Sequence, residues 1–362
     1  MKVDFLIAGA GFAGCTLAER IATQFDKKVL LVETRDHIGG NTYDYYNEDG
    51  LLIQKYGPHI FHTKLKDVWD YLCRFTEWNG YLHRVIAVVR GKEVYLPINL
   101  DTMERLYDRK FTSEELEEYF EQHRVKLDKI SNSRDVVVSQ VGEELYELFF
   151  RNYTKKQWGI YPEELDPEVT KRLPVRFNRD TRYFTDAYQG IPKHGFTRMF
   201  ARMIVNKNIH LLLKTDYREI IDSVEYKKLI YTGPIDYYFD YMFGKLPYRS
   251  LDFKFKTLDM EKYQNAGVVN YPNDYDYTRI TEFKHFYFQQ HHKTTICYEY
   301  PRAEGDPYYP IPKPECREIY RKYRKEADKL RSVYFIGRLA QYKYLNMDQV
   351  VAGALKLFEG LN

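Results

Sequence analysis

The sequence predicts an α/β fold in which a discontinuous dinucleotide-binding domain is joined to a helical domain and an antiparallel β-sheet domain. Three observations carry that expectation. The first thirty-three residues read as strand, glycine turn, helix, strand and acid; strand-like runs of the same apolar kind return late in the chain; and the stretch between about 237 and 300 is dense in short aromatic and β-branched runs.

The N-terminal unit is the most explicit. An apolar run from Val3 to Ala8 leads into Gly9-Ala10-Gly11-Phe12-Ala13-Gly14, and a second run, Lys28 to Val32, ends on Glu33. Gly9 allows a tight turn, Gly11 lets the backbone approach a pyrophosphate, and Gly14 lets the helix sit close on the sheet, with the helix N-terminus facing the negative charge. Glu33, nineteen residues beyond Gly14, stands where a carboxylate takes the two ribose hydroxyls of an adenosine. The paired glycines in Arg35-Asp36-His37-Ile38-Gly39-Gly40-Asn41 suggest a second close approach of backbone to cofactor.

Arg84 to Leu96 reads as a hairpin turning at Arg90-Gly91-Lys92. From about 101 to 161 the period becomes helical, with a helix start at Thr112-Ser113-Glu114-Glu115 and an amphipathic segment from Glu143 to Phe150. Pro162, Pro167 and Pro174 then punctuate a loop. Ile209–Leu213, Leu229–Pro234 and Val333–Arg338 are strand-like returns to the first domain, and Met347 to Phe358 is a closing helix. The expected boundaries are 1–80, 186–236 and 317–362 for the dinucleotide domain, 98–185 for the helical domain with a mobile loop at about 159–176, and 81–97 with 237–316 for the sheet domain.

Composition narrows the function. Lys plus Arg is 55 against 52 for Asp plus Glu, and a net charge of +3 argues against a nucleic-acid partner. No apolar run approaches the ~20 residues needed to span a bilayer, and Asp4 interrupts any signal-like start, so the expected location is cytoplasmic. Cys15, Cys73, Cys297 and Cys316 form no close pair, so neither a zinc cluster nor a redox CxxC is indicated. His59 and His62 have no third ligand beside them, so no metal is expected. Thirty-five Tyr and 22 Phe exceed the needs of a core; a minority of these rings is available to stack on a base or a sugar. The basic run Arg321 to Lys325 is read as a solvated helix face. Only one GxGxxG occurs, unlike disulfide reductases, and the two YxxxK matches, Tyr241 with Lys245 and Tyr309 with Lys313, are broken by Gly244 and by Pro310 and Pro312.

The chain resembles bacterial UDP-galactopyranose mutase in the glycine motif, Glu33 and Gly39-Gly40-Asn41, followed in order by Tyr56-Gly57-Pro58-His59-Ile60-Phe61-His62-Thr63, Tyr153-Thr154-Lys155-Lys156-Gln157-Trp158-Gly159, Arg172-Leu173-Pro174-Val175-Arg176, Gly337-Arg338-Leu339-Ala340 and Tyr342-Lys343-Tyr344. The GPHIFHT and YTKKQWG motifs are specific to that family. The resemblance covers essentially the whole chain and implies a Rossmann-like FAD-binding domain. It also implies an isomerase interconverting UDP-galactopyranose and UDP-galactofuranose through a covalent adduct of the sugar with N5 of reduced FAD, without net redox change, supplying galactofuranose for cell-surface glycans. An external reductant such as NAD(P)H and a homodimer contacting through the helical domain follow from the same resemblance.

It assigns Arg172, Arg279 and Arg338 to the substrate pyrophosphate and His59 and His62 to positions beside the flavin. Phe149, Tyr153, Thr154 and Trp158 fall at the uridine, and Tyr183, Tyr309 and Tyr344 at the phosphates and sugar. The cofactor set is Gly9, Gly11, Phe12, Ala13, Gly14, Glu33, Arg35, Gly39, Gly40, Asn41, His59, Ile60, Gly337, Arg338 and Asp348. One position departs from the family's Tyr-Leu-Asp-Met: Asn346 stands where relatives carry Asp, which bears on hydrogen bonding around the sugar and on a 2-acetamido sugar as an extra substrate, while His59 in place of an arginine favours plain galactose. Two alternatives remain open: an FAD-dependent oxidoreductase of the same fold, which would consume substrate by net oxidation, and a non-catalytic nucleotide-sugar binding flavoprotein.

Overall fold

The computed structural model describes residues 1–170 and 175–361. Its first element, β1 (Phe5–Ala8), is buried at every position, as a central parallel strand must be. Helix α1 (Phe12–Gln24) follows after Gly9-Ala10-Gly11, and β2 (Val29–Val32) returns beside β1 in parallel register, Phe5 opposite Val29. The strands Ile209–Leu212 and Lys228–Tyr231 flank this pair, and Val333–Phe335 completes a five-stranded, all-parallel sheet. The closing helix Met347–Glu359 packs beside α1, with Phe25 stacked on Phe358 at 4.4 Å.

The glycines explain the tight turn. A Cβ on Gly14 would lie 1.8 Å from the Gly9 carbonyl oxygen, so only glycine allows α1 to sit this close to β1. Gly9 itself has φ +108°.

The second sheet has seven strands, in the order Tyr309–Pro310, Tyr248–Leu258, Thr294–Arg302, Arg279–Glu282, Val268–Asn270, Val85–Val89, Lys92–Leu96. It is not purely antiparallel: Val268–Asn270 runs parallel to Val85–Val89, because the hairpin arrives from an earlier part of the chain and docks on the edge of the later strands. The helical region holds Leu100–Tyr107, Ser113–His123 and Ser133–Tyr146. Thr112 caps the second of these through the reciprocal box with Glu115 that the sequence predicts. The expected amphipathic segment at 143–150 changes character midway, from α-helix to a π-helical stretch Glu147–Arg151 that runs into the helix Asn152–Trp158.

The described part of the proline-punctuated loop, residues 162–170, bonds to the helix before it. Leu165 is buried, Ser133 N donates to Leu165 O at 2.9 Å, Tyr146 Oη to Glu163 Oε1 at 2.8 Å, and Thr170 Oγ1 to Ser133 O at 2.8 Å. These bonds fix residues 162–170 on the preceding helix, a tertiary effect that local composition does not reveal. On the helix Pro314–Ala327, Arg321, Lys322, Arg324 and Lys325 are exposed around a buried Tyr323, the solvated face expected. All four cysteines are free thiols.

Candidate active site

The cofactor end is built by the first βαβ turn. The N-terminus of α1 has no side-chain cap and no acidic residue in its first turn, so its amide groups are not spent on the protein. Gly11 faces Gly40, and a Cβ added to Gly11 would meet nothing nearer than Gly40 Cα at 3.7 Å. Gly11 is thus not demanded by protein packing, in contrast to Gly14, and the space it leaves is of the kind that would take a pyrophosphate. Glu33 is buried beside it, accepting from Ala10 N at 2.9 Å and Arg35 N at 3.0 Å, which aims the carboxylate at the same turn. Arg35 Nη1 donates to Asn41 Oδ1 at 3.0 Å, and Gly39 N to Ala10 O at 2.8 Å, tying 35–41 to the glycine turn. These features fit an adenine dinucleotide. Phe12 and Ile60, expected at the cofactor, place their side chains in the hydrophobic core, Phe12 against Phe200 at 4.7 Å between ring centroids. Asp348 accepts from Thr63 Oγ1 at 2.9 Å and thereby joins the closing helix to the GPHIFHT segment.

Gly337 lies against α1, its Cβ position 3.6 Å from Ala13 Cβ, so Arg338 emerges beside the cradle. Its guanidinium donates to Leu345 O at 2.7 Å and to Tyr308 O at 3.3 Å. Those carbonyls precede or follow Tyr309 and Tyr344 in the chain, and the guanidinium carbon sits 5.6 and 5.1 Å from the two ring centroids. Trp158 approaches both rings at 6.1 Å, and Tyr309 and Tyr344 are 5.5 Å apart. Arg338 therefore brackets this aromatic cluster in addition to charging it.

Across the cleft, Asn270, Arg279 and Glu299 form one row over three neighbouring strands. Arg279 Nε is 3.4 Å from Glu299 Oε2, with Glu299 only 2% exposed. Burial alone would lower the Arg279 value, but Glu299 and the phenols of Tyr153, Tyr309 and Tyr183 outweigh it and hold the guanidinium firmly charged. Burial pushes the Glu299 carboxyl up, against the attraction of Arg279. Arg279 Nε, Glu299 Oε1, Asn270 Oδ1 and Gln157 Oε1 are buried without a hydrogen-bond partner among the described residues. Buried polar atoms are normally satisfied, so Asn270 Oδ1 and Glu299 Oε1 in this row leave acceptors for a polar ligand, while Arg279 Nε keeps its ion pair with Glu299.

His59 donates through Nδ1 to Gly57 O at 3.0 Å, which leaves Nε2 as an acceptor. Burial, with Arg338 and Arg279 nearby, pulls its imidazole down to about 4. His62 pairs through Nδ1 with Asp186 Oδ2 at 2.6 Å and stacks on Phe184 at 3.6 Å. Buried His83, pulled down to about 3 chiefly by burial, accepts the Tyr183 amide on its carbonyl at 2.7 Å.

The two neutral histidines carry a pH prediction. Their folded values lie below the unfolded imidazole value, so the unfolded chain gains protons first on acidification, and the stability present above pH ~6.5 falls towards pH 4. Between pH 6.5 and 5 the pair is expected to remove about 3 kcal/mol, read from urea unfolding, and His83→Gln should remove about half of that dependence. An unfolding free energy independent of pH in that window contradicts the neutral assignment.

Of the expected site residues, the structure brings Trp158, Tyr309, Arg338 and Tyr344 into one cluster, sets Arg279 beside Tyr153, Tyr309 and Tyr183, and places His59 near Arg338 and Arg279. Phe149 is buried at 3% in the hydrophobic core, its ring part of the helical packing. Thr154 is buried on the Tyr153 helix. Asn346 is the N-cap of the closing helix in a box with Gln349, a role Asn fills as well as Asp. Arg172 lies outside the described residues. Sequence reasoning missed Glu299, Asn270, His83, Asp186 and Arg249. Glu299 was the most findable: along Cys297-Tyr298-Glu299-Tyr300 a carboxylate occupies the inward phase of an alternating strand.

Fold and site together define a dinucleotide-binding α/β enzyme of the flavoprotein type, with a cationic, aromatic-walled cleft beside the cofactor turn. Residues 148–344 match the family model for UDP-galactopyranose mutase, and residues 7–75 that for an NAD(P)-binding Rossmann-like domain. The chain is 39% identical over 98% of its length to a probable UDP-galactopyranose mutase of Klebsiella pneumoniae, covering 93% of that protein. It is 38% identical over 97% of its length to a dTDP-fucopyranose mutase of Escherichia coli, covering 96% of it. A crystal structure of reduced UDP-galactopyranose mutase superposes with a TM-score of 0.78 at 18% identity, spanning 100% of this chain and 94% of the other, a likeness of fold. The chain belongs to the UDP-galactopyranose mutase family.

Proposed function

We propose that the protein interconverts UDP-galactopyranose and UDP-galactofuranose, using FAD in its reduced form. The observation that carries this reading is the row of Asn270, Arg279 and Glu299, with its unpartnered polar atoms, facing the Trp158, Tyr309 and Tyr344 cluster beside the glycine cradle. When bound and reduced, FAD supplies covalent nucleophilic chemistry at N5 toward the anomeric carbon, which accounts for a ring contraction without net redox change. The α1 amides with Gly11 and Gly40 would hold its pyrophosphate, Glu33 its ribose, and Gly337 with Arg338 and Asp348 its far end.

The protein's own residues orient and stabilise charge. Tyr153 and Trp158 offer flat faces to the uracil, worth ~1–3 kcal/mol per stacked base. Arg279 faces the pyrophosphate with a fixed charge, and its hold strengthens as negative charge grows on the departing UDP, which lowers the barrier and not merely KM. His59 stays neutral, so it presents an acceptor and not a second cation to the reacting end. Arg172 is assigned to the same pyrophosphate, and Arg172→Ala is expected to lower kcat/KM at least about tenfold, one charge-assisted contact being worth ~1.5–3 kcal/mol. Full activity in that variant removes the assignment.

The deciding experiment is anaerobic conversion of UDP-galactofuranose with and without dithionite, following UDP-galactopyranose by chromatography. Conversion only after reduction, with no reductant consumed per turnover, is expected; net oxidation of the sugar would favour the oxidoreductase, and binding of UDP without product the non-catalytic protein. A second substrate reading is favoured by the relative named dTDP-fucopyranose mutase, nearly as similar as the first. Running dTDP-fucopyranose in parallel separates the two by kcat/KM. NAD(P)H as donor, tested by anaerobic flavin bleaching, and a homodimer, tested by light scattering, belong to the same proposal, as does supply of galactofuranose to surface glycans.

A further inference from the structure

The loop 271–278 joins the strand that ends at Asn270 to the strand that begins at Arg279. It is held from outside, by the helical segment that carries Tyr153 and Trp158. Lys156 Nζ donates to the carbonyl oxygens of Tyr275 at 2.8 Å and Tyr277 at 3.1 Å, and also to that of Tyr271. An ammonium has three donors, so this set is fully used on the loop backbone. Asn273 Nδ2 donates to Leu148 O at 3.0 Å, and Asn152 Nδ2 to Asn273 Oδ1 at 3.0 Å. Leu148 lies in the π-helical stretch, where the wider turn displaces carbonyls from the regular ladder and frees them for such contacts. The other end of the helix is anchored on the same sheet: buried Arg249 donates to Gln157 O at 3.0 Å and Lys156 O at 3.1 Å.

We propose that Lys156 is a positioning residue that clamps loop 271–278 to the Asn152–Trp158 helix and so sets the span between the uridine face and the Asn270–Arg279 face of the cleft. The proposal rests on reading the cleft as a nucleotide-diphosphate sugar site. A UDP group must touch both faces at once, so its binding, and the hold of Arg279 on the departing pyrophosphate, depend on their spacing. Partial burial keeps the Lys156 ammonium down to about 8, with Asp274 and Asp276 working to raise it, consistent with a charge solvated by carbonyls in place of water.

Lys156→Met and Lys156→Arg test this. In the holoenzyme, Lys156→Met is expected to raise the Kd for UDP at least about tenfold and to lower kcat/KM for UDP-galactopyranose at least as much, while flavin content stays at the wild-type level, a combination that general destabilisation does not produce. Lys156→Arg, which keeps the charge and several donors, is expected to recover most of the affinity. Hydrogen exchange without ligand provides the independent arm: amides in 271–278 should exchange at least about tenfold faster in Lys156→Met than in wild type. Unchanged exchange overturns the clamp, and faster exchange with unchanged UDP affinity overturns its role in positioning. A wild-type protein whose loop is protected in the Lys156-dependent way but which binds no UDP supports the clamp and sinks the substrate reading instead.

Discussion

Replacing Arg279 by alanine is expected to lower kcat/KM for UDP-galactopyranose by about a hundredfold or more and, at the same time, to destabilise the folded protein. The catalytic part follows from losing a planar cation that grips phosphate oxygens in pairs, two charge-assisted contacts at ~1.5–3 kcal/mol each, where about 1.4 kcal/mol is tenfold in rate. The stability part follows from the partner. Glu299 is 2% exposed and has Arg279 as its neighbouring cation at 3.4 Å. Stripping one member of a buried pair leaves the other charge uncompensated, at a cost of ~3–5 kcal/mol. The two effects separate in the double variant Arg279→Ala with Glu299→Gln, which removes the stranded charge. Urea unfolding should return most of the way to wild type while turnover stays lost. A double variant as unstable as the single one would mean that Glu299 is not held by Arg279, and an active Arg279→Ala would remove the arginine from the phosphate site altogether.

Gly11→Ala is expected to fold normally and to purify largely without flavin. A Cβ there makes only an ordinary 3.7 Å contact with Gly40 Cα, so the apoprotein tolerates it, yet it occupies the space a pyrophosphate needs against the N-terminus of α1. Gly14→Ala is the contrasting control, since its Cβ would meet the Gly9 carbonyl oxygen at 1.8 Å and drive α1 off the sheet. The measurements are flavin absorbance per polypeptide and thermal unfolding of the stripped apoproteins. Wild-type flavin content in Gly11→Ala would place the cofactor elsewhere, whereas equal unfolding temperatures for the two variants would deny the difference in packing on which the assignment depends.

Much of the molecule was legible before folding because its signals are local. The strand, glycine turn, helix and acid of residues 3–33 each depend on neighbours a few positions away, and Thr112 with Glu115 caps a helix wherever that helix ends up. The returning strands at 209, 228 and 333 were visible as short apolar runs, although only Leu229–Tyr231 is buried throughout and the edge strand Ile209–Leu212 alternates half-buried and exposed residues. Less legible was the state of the segment after Pro162. Prolines and polar residues describe a loop without saying which partners it meets, and its bonds to Ser133 and Tyr146 come from residues remote in sequence. Phe149 illustrates the limit for rings: an aromatic at helical spacing reads alike at a ligand and in a core, and its ring is packed among the apolar residues of the helical region.

By itself the sequence determined the dinucleotide turn, the order of the elements and the family, because glycine conformations, hydrophobic period and contiguous motifs are properties of short stretches of chain. Only the tertiary structure decided which charges meet. Asn270, Arg279 and Glu299 come from three strands and share a row only because the sheet register aligns them; Arg338 reaches Tyr309 and Tyr344 only because Gly337 lets it pass beside α1; Lys156 finds three carbonyls 115 to 121 residues away. The electrostatics of a buried cleft depend on through-space distance and on exclusion of water, and neither is a function of separation along the chain.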